Sequence, residues 1–243
     1  MKKLSAFTLK MIAVTAMTVD HIALVFIQPG SLLYWLMRLF GRLTAPIMAF
    51  FIAEGFQHTR SRKRYLLRLV AFALISQPVY FLMIFGRQPT NAFEFLTNWN
   101  VMFSLAVALL SLIILKSELP ETPRLILLAV CVSLGSFVDW SLMIPVWALI
   151  FYIFRDNLRM KALLFTVASV VLQTALFYKN YGSFIEFSYM YGTLLALIPL
   201  GMYSGERGGG RHKKLSRWFF YVYYPAHMAP LIMVVLVGIR LFK

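Results

Sequence analysis

Two adjacent ionisable residues, Asp20 and His21, interrupt a mainly apolar stretch that runs from Leu9 to Gln28. An Asp at the centre of a membrane helix costs about 2.5–3.5 kcal/mol on insertion scales. Such residues therefore face a protein interior or a wet cavity, and they commonly mark a functional site. We place the start of the functional site at these two positions.

Composition and hydropathy indicate a membrane protein. Of the 243 residues, 60% are hydrophobic and 14% are charged, and the mean hydropathy is +0.75, whereas soluble domains carry about 25% charged residues. A helix of about 20 residues spans the hydrocarbon. We predict an all-α polytopic membrane helix bundle, one domain over 1–243, with about nine transmembrane helices at 10–28, 34–57, 65–86, 100–115, 123–138, 140–154, 160–177, 184–203 and 218–241. The segments 123–138 and 140–154 are short, and a re-entrant pair is the alternative there.

The net charge of +15 predicts orientation and not a nucleic-acid partner. Lys and Arg cluster in alternate short connections, as the positive-inside rule requires of cytoplasmic loops. We therefore predict a multi-pass plasma (inner) membrane protein whose N-terminus is cytoplasmic. The charge-poor connections, among them 29–31, 87–98 and Asp139-Trp140, are expected outside, with Trp140 as an interfacial anchor. The single cysteine, Cys131, lies in an apolar run and predicts no metal site.

Counting along the first two spans predicts an ion pair between Asp20 and Arg42. Each residue lies eight positions inside the shared outer ends at Gln28 and Tyr34, about 12 Å deep at 1.5 Å per residue. Arg38 is one helical turn from Arg42 on the same face, where it is free to reach the interface or to bind an anionic group.

His21 requires a different partner, because consecutive helical residues point about 100° apart. His227 in the last span lies about 14 Å deep by the same count, and we predict that the two imidazoles meet. A neutral imidazole is a competent general base or acid at physiological pH. Pro225 removes a helix hydrogen bond beside His227.

Each of these features also has a purely structural interpretation. The alternative for Asp20, His21 and Arg42 is an ion-pair network that fixes helix packing, and for His227 it is an interhelical hydrogen bond. Asn100 either lines a polar vestibule or lies unremarkably at a span end. The basic cluster Arg60, Arg62, Lys63, Arg64 and Arg68 either signals topology or holds phosphates, to which Arg presents paired donors.

The order of several motifs resembles one known family. The motifs are Met17-Thr18-Val19-Asp20-His21-Ile22, Arg38-Leu39-Phe40-Gly41-Arg42-Leu43-Thr44-Ala45-Pro46, Glu54-Gly55-Phe56-Gln57-His58-Thr59-Arg60, Ser76-Gln77-Pro78, Asn100-Val101-Met102-Phe103-Ser104-Leu105 and Tyr223-Tyr224-Pro225-Ala226-His227. Together they resemble the conjugal-transfer pilin acetylase family, the TraX-type membrane proteins, which is related to a wider group of transmembrane acyltransferases.

The resemblance implies transfer of an acetyl group from cytoplasmic acetyl-CoA to an extracytoplasmic acceptor, which is a pilin amine, another protein amine or a glycan. It implies catalysis by His21 with Asp20 and His227, acceptor contacts from Arg38, Arg42, Asn100 and Tyr224, and coenzyme phosphates held by Arg60, Arg62, Arg64 and Arg68.

Two other classes of function fit the same residues. A proton-coupled transporter or lipid flippase would use Asp20, His21 and His227 as a proton relay, and paired internal repeats would favour it. A scaffold for secretion or pilus assembly would make the polar core structural. The sequence predicts no oligomeric state.

Overall fold

A computed structural model describes residues 3–180, 184–208 and 213–241. Over these ranges the chain is helical, with isolated β-bridges but no strand. The α-helices are α1 (Ala6–Phe26), α2 (Leu32–Gly41), α3 (Thr44–His58), α4 (Arg62–Phe85), α5 (Ala92–Thr97), α6 (Val101–Leu115), α7 (Glu121–Ser133), α8 (Met143–Ile153), α9 (Leu158–Asn180), α10 (Phe184–Phe187), α11 (Leu197–Gly201) and α12 (Lys213–Leu241). Two 3-10 helices, Leu134–Phe137 and Ser188–Ala196, accompany them.

The helices confirm the predicted membrane bundle. Among the described residues, four segments are long and apolar enough to cross a bilayer, and shorter apolar helices lie between them. The four are Ala6–Phe26, Leu32–His58, Arg62–Phe85 and Leu158–Ala175. The total of nine spans and the cytoplasmic N-terminus stay predictions.

Helices α3, α6 and α8 form the centre of the bundle and pack against one another. Helix α3 also contacts α1, while α12 packs between α1 and α4. Most residues of α3 and α6 are buried, as expected of helices that are apolar on every side. Helix α1 therefore lies directly against this central group, and α12 lies against α1 and α4.

The predicted second span, 34–57, is interrupted between Gly41 and Thr44. Pro46 explains the break, because proline has no N–H for the carbonyl of Arg42 four residues earlier and its ring clashes with that carbonyl. The segment Leu32–His58 is nevertheless long and apolar enough to cross a bilayer, as predicted. The interruption starts a new helix, α3, in the middle of the span.

The predicted span 184–203 is also irregular, since α10, a 3-10 helix and α11 replace one α-helix. Gly192 lies against α2, where an added Cβ would collide with the backbone carbonyl of Leu39. Tyr189 and Gly192 are buried and three residues apart, and the tighter 3-10 winding stacks residues three apart on one face. The close contact of the Gly192 backbone with α2 thus goes with 3-10 winding of Ser188–Ala196 in place of a regular α-helix.

The two short predicted spans, 123–138 and 140–154, correspond to two short helices that pack on α6. Helix α7 continues into the 3-10 helix Leu134–Phe137, and α8 begins only at Met143. Between them, Trp140 and Ser141 have φ angles of 65° and 48°, a left-handed conformation that is costly for residues with side chains. This turn closes one side of the site described next.

Candidate functional site

Asp20 is the centre of a buried ion-pair cluster. Its Oδ2 accepts a hydrogen bond of 2.7 Å from Arg38 Nη1, and its Oδ1 accepts one from Arg42 Nη2. The predicted contact between Asp20 and Arg42 is present. Arg38, expected to be free for the interface or a ligand, is instead paired with the same carboxylate. Both oxygens of Asp20 are therefore engaged by guanidinium groups.

Gly41 allows this cluster to form. A Cβ at Gly41 would overlap the Asp20 carboxylate, so only glycine lets the end of α2 approach α1 so closely. Arg42 follows as the C-cap of α2, and its Nε donates to the carbonyl of Arg38 at 3.2 Å. The break between α2 and α3 thus fixes the position of Arg42.

Aromatic rings hold the two arginines from the other side. The Tyr189 ring lies 5.1 Å from the guanidinium carbon of Arg38 and 5.6 Å from that of Arg42. Trp140 lies 4.7 Å from the Arg42 guanidinium carbon. These are cation–π distances. Neither Tyr189 nor Trp140 was singled out for this role by the sequence, because ring–guanidinium contacts between distant segments leave no local pattern.

His21 and His227 meet, as their matched depths predicted. His21 Nδ1 and His227 Nε2 are 2.6 Å apart, and His227 Nδ1 lies 2.8 Å from the backbone carbonyl oxygen of Tyr223. Within the described residues Asp20 makes no hydrogen bond to His21, which agrees with the angular separation of consecutive helical positions.

The hydrogen bonds fix the tautomers of a neutral histidine pair. A carbonyl oxygen only accepts, so the hydrogen on His227 Nδ1 is donated to Tyr223 and His227 Nε2 is an acceptor. His21 must then donate from Nδ1. The lone pair of His21 Nε2 is left available, which is the state that a general base needs.

Neighbouring contacts hold α12 against α1. The hydroxyls of Thr18 and Tyr223 are 2.8 Å apart, and the Tyr223 ring lies parallel to the His227 ring at 5.2 Å. The ring of Tyr224, which is buried, lies 5.9 Å from His227. Helix α12 continues through Pro225, so the proline does not end the helix that carries His227.

A small cavity of about 60 Å³ lies beside His21. Its polar lining residues are Asp20, His21, Thr44, Asp139, Trp140 and Tyr224. Arg38 and Arg42 are not in its wall; they lie behind Asp20. Asp139 and Trp140 were predicted only as an outer connection with an anchoring ring, and the structure places both in the cavity wall.

A second cavity, of about 890 Å³, has a basic lining. Its cationic residues are Lys10, Arg60, Arg64, Arg68 and Arg207. Three of the four arginines predicted for phosphates are thus present. Arg62 is not among the lining residues, because its guanidinium carbon lies 4.3 Å from the centre of the Phe56 ring.

Lys10 is a lining residue that sequence reasoning missed. Its ammonium lies 4.8 Å from the Phe51 ring and 5.2 Å from the Phe220 ring. Its position inside the predicted first span was the available signal, since a lysine there is as unusual as Asp20. Arg207, which follows α11, also lines this cavity.

The two cavities adjoin. The side chains that line both are Met48, Met102, Leu105 and Phe220. All are apolar, and together they form the neck between the basic cavity and His21. The basic cavity and the cavity beside His21 are therefore separated only by apolar side chains.

Asn100 lies apart from both cavities. Its side chain caps α6 by accepting from the backbone N–H of Met102 at 3.0 Å, and its Nδ2 donates to Gln77 Oε1 at 2.5 Å and to the carbonyl of Ala73 at 2.8 Å. It is fully buried. These contacts support the wall of the bundle, and the acceptor contact expected of Asn100 is not part of the geometry described here.

Comparison with known proteins gives the family. The model of the family described as "TraX protein" matches residues 5–236. The chain is 36% identical over 233 residues to the probable fimbrial assembly protein FimC, serogroup H1, of Dichelobacter nodosus, and the match covers 93% of each chain. No solved structure matches. On a family match that includes both histidines and the whole ion-pair cluster, the chain belongs to the TraX protein family.

Proposed function

We propose that this protein is a membrane acetyltransferase that moves an acetyl group from cytoplasmic acetyl-CoA to an amine or hydroxyl of an extracytoplasmic acceptor. The observation that carries the proposal is the hydrogen-bonded pair of His21 and His227 beside a cavity that adjoins a basic one. The name of the FimC relative, a probable fimbrial assembly protein, favours a pilin-type acceptor.

The basic cavity suits the coenzyme. A volume of about 890 Å³ lies in the range of ligand pockets, about 300–1,000 Å³. Arg64, Arg68 and Arg207 offer forked donors to phosphates, and Lys10 adds a cation beside the neck. The apolar neck suits the pantetheine arm and the thioester, whereas the phosphates stay among the arginines. In this arrangement the acetyl group reaches His21 and CoA remains on the cytoplasmic side.

His21 is the proposed general base. Its Nε2 takes a proton from the acceptor nucleophile, which then attacks the thioester carbonyl to form a tetrahedral intermediate. The carbon–sulfur bond breaks, and the CoA thiolate receives the proton from His21. His227 is a positioning residue, because its Nε2 accepts the Nδ1–H of His21 in both protonation states and stabilises the imidazolium.

The first turn of α3 is placed to stabilise the oxyanion. Thr44 and Ala45, the first two residues of α3, line the small cavity. The N-terminus of a helix favours negative charge, and one oxyanion donor contributes about 2.7–4 kcal/mol in other acyl-transfer sites. The break at Pro46 creates this helix start.

Labelled transfer tests the proposal directly. Purified protein in lipid nanodiscs is incubated with acetyl-CoA carrying a radioactive acetyl group and with membrane extract. The expected result is label on an extract component with wild type and none with His21→Ala. Proton-driven flux into vesicles without acetyl transfer would favour the transporter instead. Wild type that neither labels an acceptor nor consumes acetyl-CoA would refute the enzyme.

A pair of arginine variants tests the donor site. Arg64→Ala removes a cation from the basic cavity, and we expect the KM for acetyl-CoA to rise about tenfold or more, since a charge-assisted contact contributes about 1.5–3 kcal/mol. Arg62→Ala is the matched control, because Arg62 packs on Phe56 outside that cavity. Equal effects of the two substitutions would contradict the assignment of the cavity.

A further inference from the structure

Asp139 is an acidic residue in the cavity wall that the proposed mechanism does not use. It lines the same small cavity as His21. Among the described residues, the one hydrogen bond to its carboxylate is from the backbone N–H of Trp140, at 3.0 Å to Oδ1. The positive charge of Arg42 interacts electrostatically with Asp139, but the Arg42 guanidinium is hydrogen-bonded to Asp20. Oδ2 of Asp139 is thus available to a ligand.

The backbone holds Asp139 rigidly. Its N–H donates to the carbonyl of Trp99 at 2.7 Å, and its carbonyl accepts from Ser104 Oγ at 2.5 Å. Trp140 and Ser141 follow in the left-handed conformation. Two consecutive residues of this kind cost about 1–3 kcal/mol each, and the turn they form sets the carboxylate at the cavity.

The environment of Asp139 calls for a donor. Apart from the polar residues already named, the cavity wall is composed of apolar side chains such as Met17, Met48 and Val101. A carboxylate in such surroundings needs a cation or hydrogen-bond donors to offset its desolvation. Asp20 cannot serve an incoming ligand, because both of its oxygens are engaged by arginines.

We propose that Asp139 binds the nucleophilic group of the acceptor and that it selects a primary amine in its ammonium form. The inference rests on the proposed function. Arg38 and Arg42 form their ion pairs with Asp20, and among the described residues the Asp139 carboxylate forms none, so an ammonium brings both the direct cationic partner and the donors that Oδ2 lacks. A hydroxyl brings one donor and no charge.

In the proposed reaction, binding of the acceptor ammonium at Asp139 comes first. Trp99, which pairs with Asp139, precedes α6 at the predicted outer end, and the neck to the basic cavity is formed by Met48, Met102, Leu105 and Phe220. The ammonium held at Asp139 gives one proton to His21 Nε2 and becomes a neutral amine. The amine attacks the thioester carbonyl, the carbon–sulfur bond breaks, the CoA thiolate receives the proton from His21, and the second amine proton is released to solvent as the amide forms.

The test uses Asp139→Asn in the full-length protein in nanodiscs. Asn keeps an oxygen for the Trp140 N–H and removes the charge, so we expect the fold and the KM for acetyl-CoA to be unchanged. The probes are a decapeptide with a free α-amine and the same decapeptide with an α-hydroxyl in place of the amine. Calorimetric binding of each probe is measured without acetyl-CoA, and acetyl transfer is measured separately.

For the amine peptide, Asp139→Asn should weaken binding and raise the acceptor KM by about tenfold or more, with little change for the hydroxyl peptide. Asp156→Asn is the control, because Asp156 is exposed beside Arg155. Equal affinity of wild type and Asp139→Asn for the amine peptide, or wild type that binds neither peptide, overturns the inference even if acetyl-CoA is turned over. Loss of amine binding in the variant supports the site even if no transfer occurs, and in that case the proposed function fails alone.

Discussion

The contact between His21 and His227 makes a quantitative prediction about how the two residues share one function. His227→Phe keeps an aromatic ring and removes the acceptor for His21 Nδ1–H. A buried donor left without its partner costs about 1–3 kcal/mol. Because 1.36 kcal/mol corresponds to a factor of ten in rate, we expect kcat to fall about 5- to 150-fold, with the KM for acetyl-CoA unchanged. Without that acceptor, the proton of His21 is free to occupy Nε2, where it blocks the base.

His21→Ala removes the base itself, and general-base catalysis contributes about 10²- to 10⁴-fold. Since His227 acts only through His21, the double variant should be no slower than His21→Ala. His227→Gln is the matched control, because its side-chain oxygen accepts a hydrogen bond and should restore part of the lost rate. Each variant is assayed for acetyl transfer in nanodiscs, with thermal unfolding to verify folding.

Two results would refute this reasoning. If the losses of the single variants multiply in the double variant, the two histidines contribute independently. If His227→Phe retains wild-type kcat, the 2.6 Å contact does not set the tautomer of His21, and His227 is a packing residue.

Three further predictions concern folding of the site and of the outer connection. Gly41→Ala should lower the unfolding temperature and weaken the ion-pair cluster, because overpacking costs about 1–3 kcal/mol. Gly201→Ala is the control, because its Cβ would meet nothing within 4 Å. Equal unfolding temperatures of the two variants would contradict the close approach of Gly41 to Asp20. Asp20→Asn should destabilise by about 3–5 kcal/mol, because two buried cations lose their shared partner, and detergent-solubilised protein that unfolds at the wild-type temperature would argue against it. The Arg87 guanidinium holds the pKa of Glu94 down at about 2, below the ordinary value of about 4.3. The Glu94 carboxylate therefore stabilises the folded state above the ordinary pKa, and this stabilisation is lost as the pH falls through about 2. NMR titration of labelled Glu94 with a midpoint near 4.3 would refute the contact.

The ion pair and the histidine pair were predictable because depth along neighbouring helices is a matter of counting. Asp20 and Arg42 lie equally far from a short connection, and His21 and His227 lie at similar depths on two spans. A fixed rise per residue converts these counts into distances. The sequence therefore contained the central contacts of the site, although it assigned Arg38 a freedom that the structure does not show.

Asp139 and Trp140 were not predictable as cavity residues. Their place depends on a left-handed turn and on hydrogen bonds to Trp99 and Ser104, contacts that link separate segments. Hydropathy likewise does not distinguish an α-helix from the 3-10 winding of Ser188–Ala196, since both bury the same apolar residues. The sequence also could not show which arginines line the basic cavity. Arg62 packs on the Phe56 ring of α3, whereas Arg60, Arg64 and Arg68 line the cavity.

The neck formed by Met48, Met102, Leu105 and Phe220 has a consequence for the membrane as a permeability barrier. Apolar constrictions exclude water and ions by dewetting, and thioether side chains adapt their shape to a passing group. An acyl group on its flexible arm is neutral and can enter such a constriction, whereas hydrated protons and metal ions are turned back. The bundle can thus hold reactive polar groups behind the neck while the neck itself excludes hydrated ions.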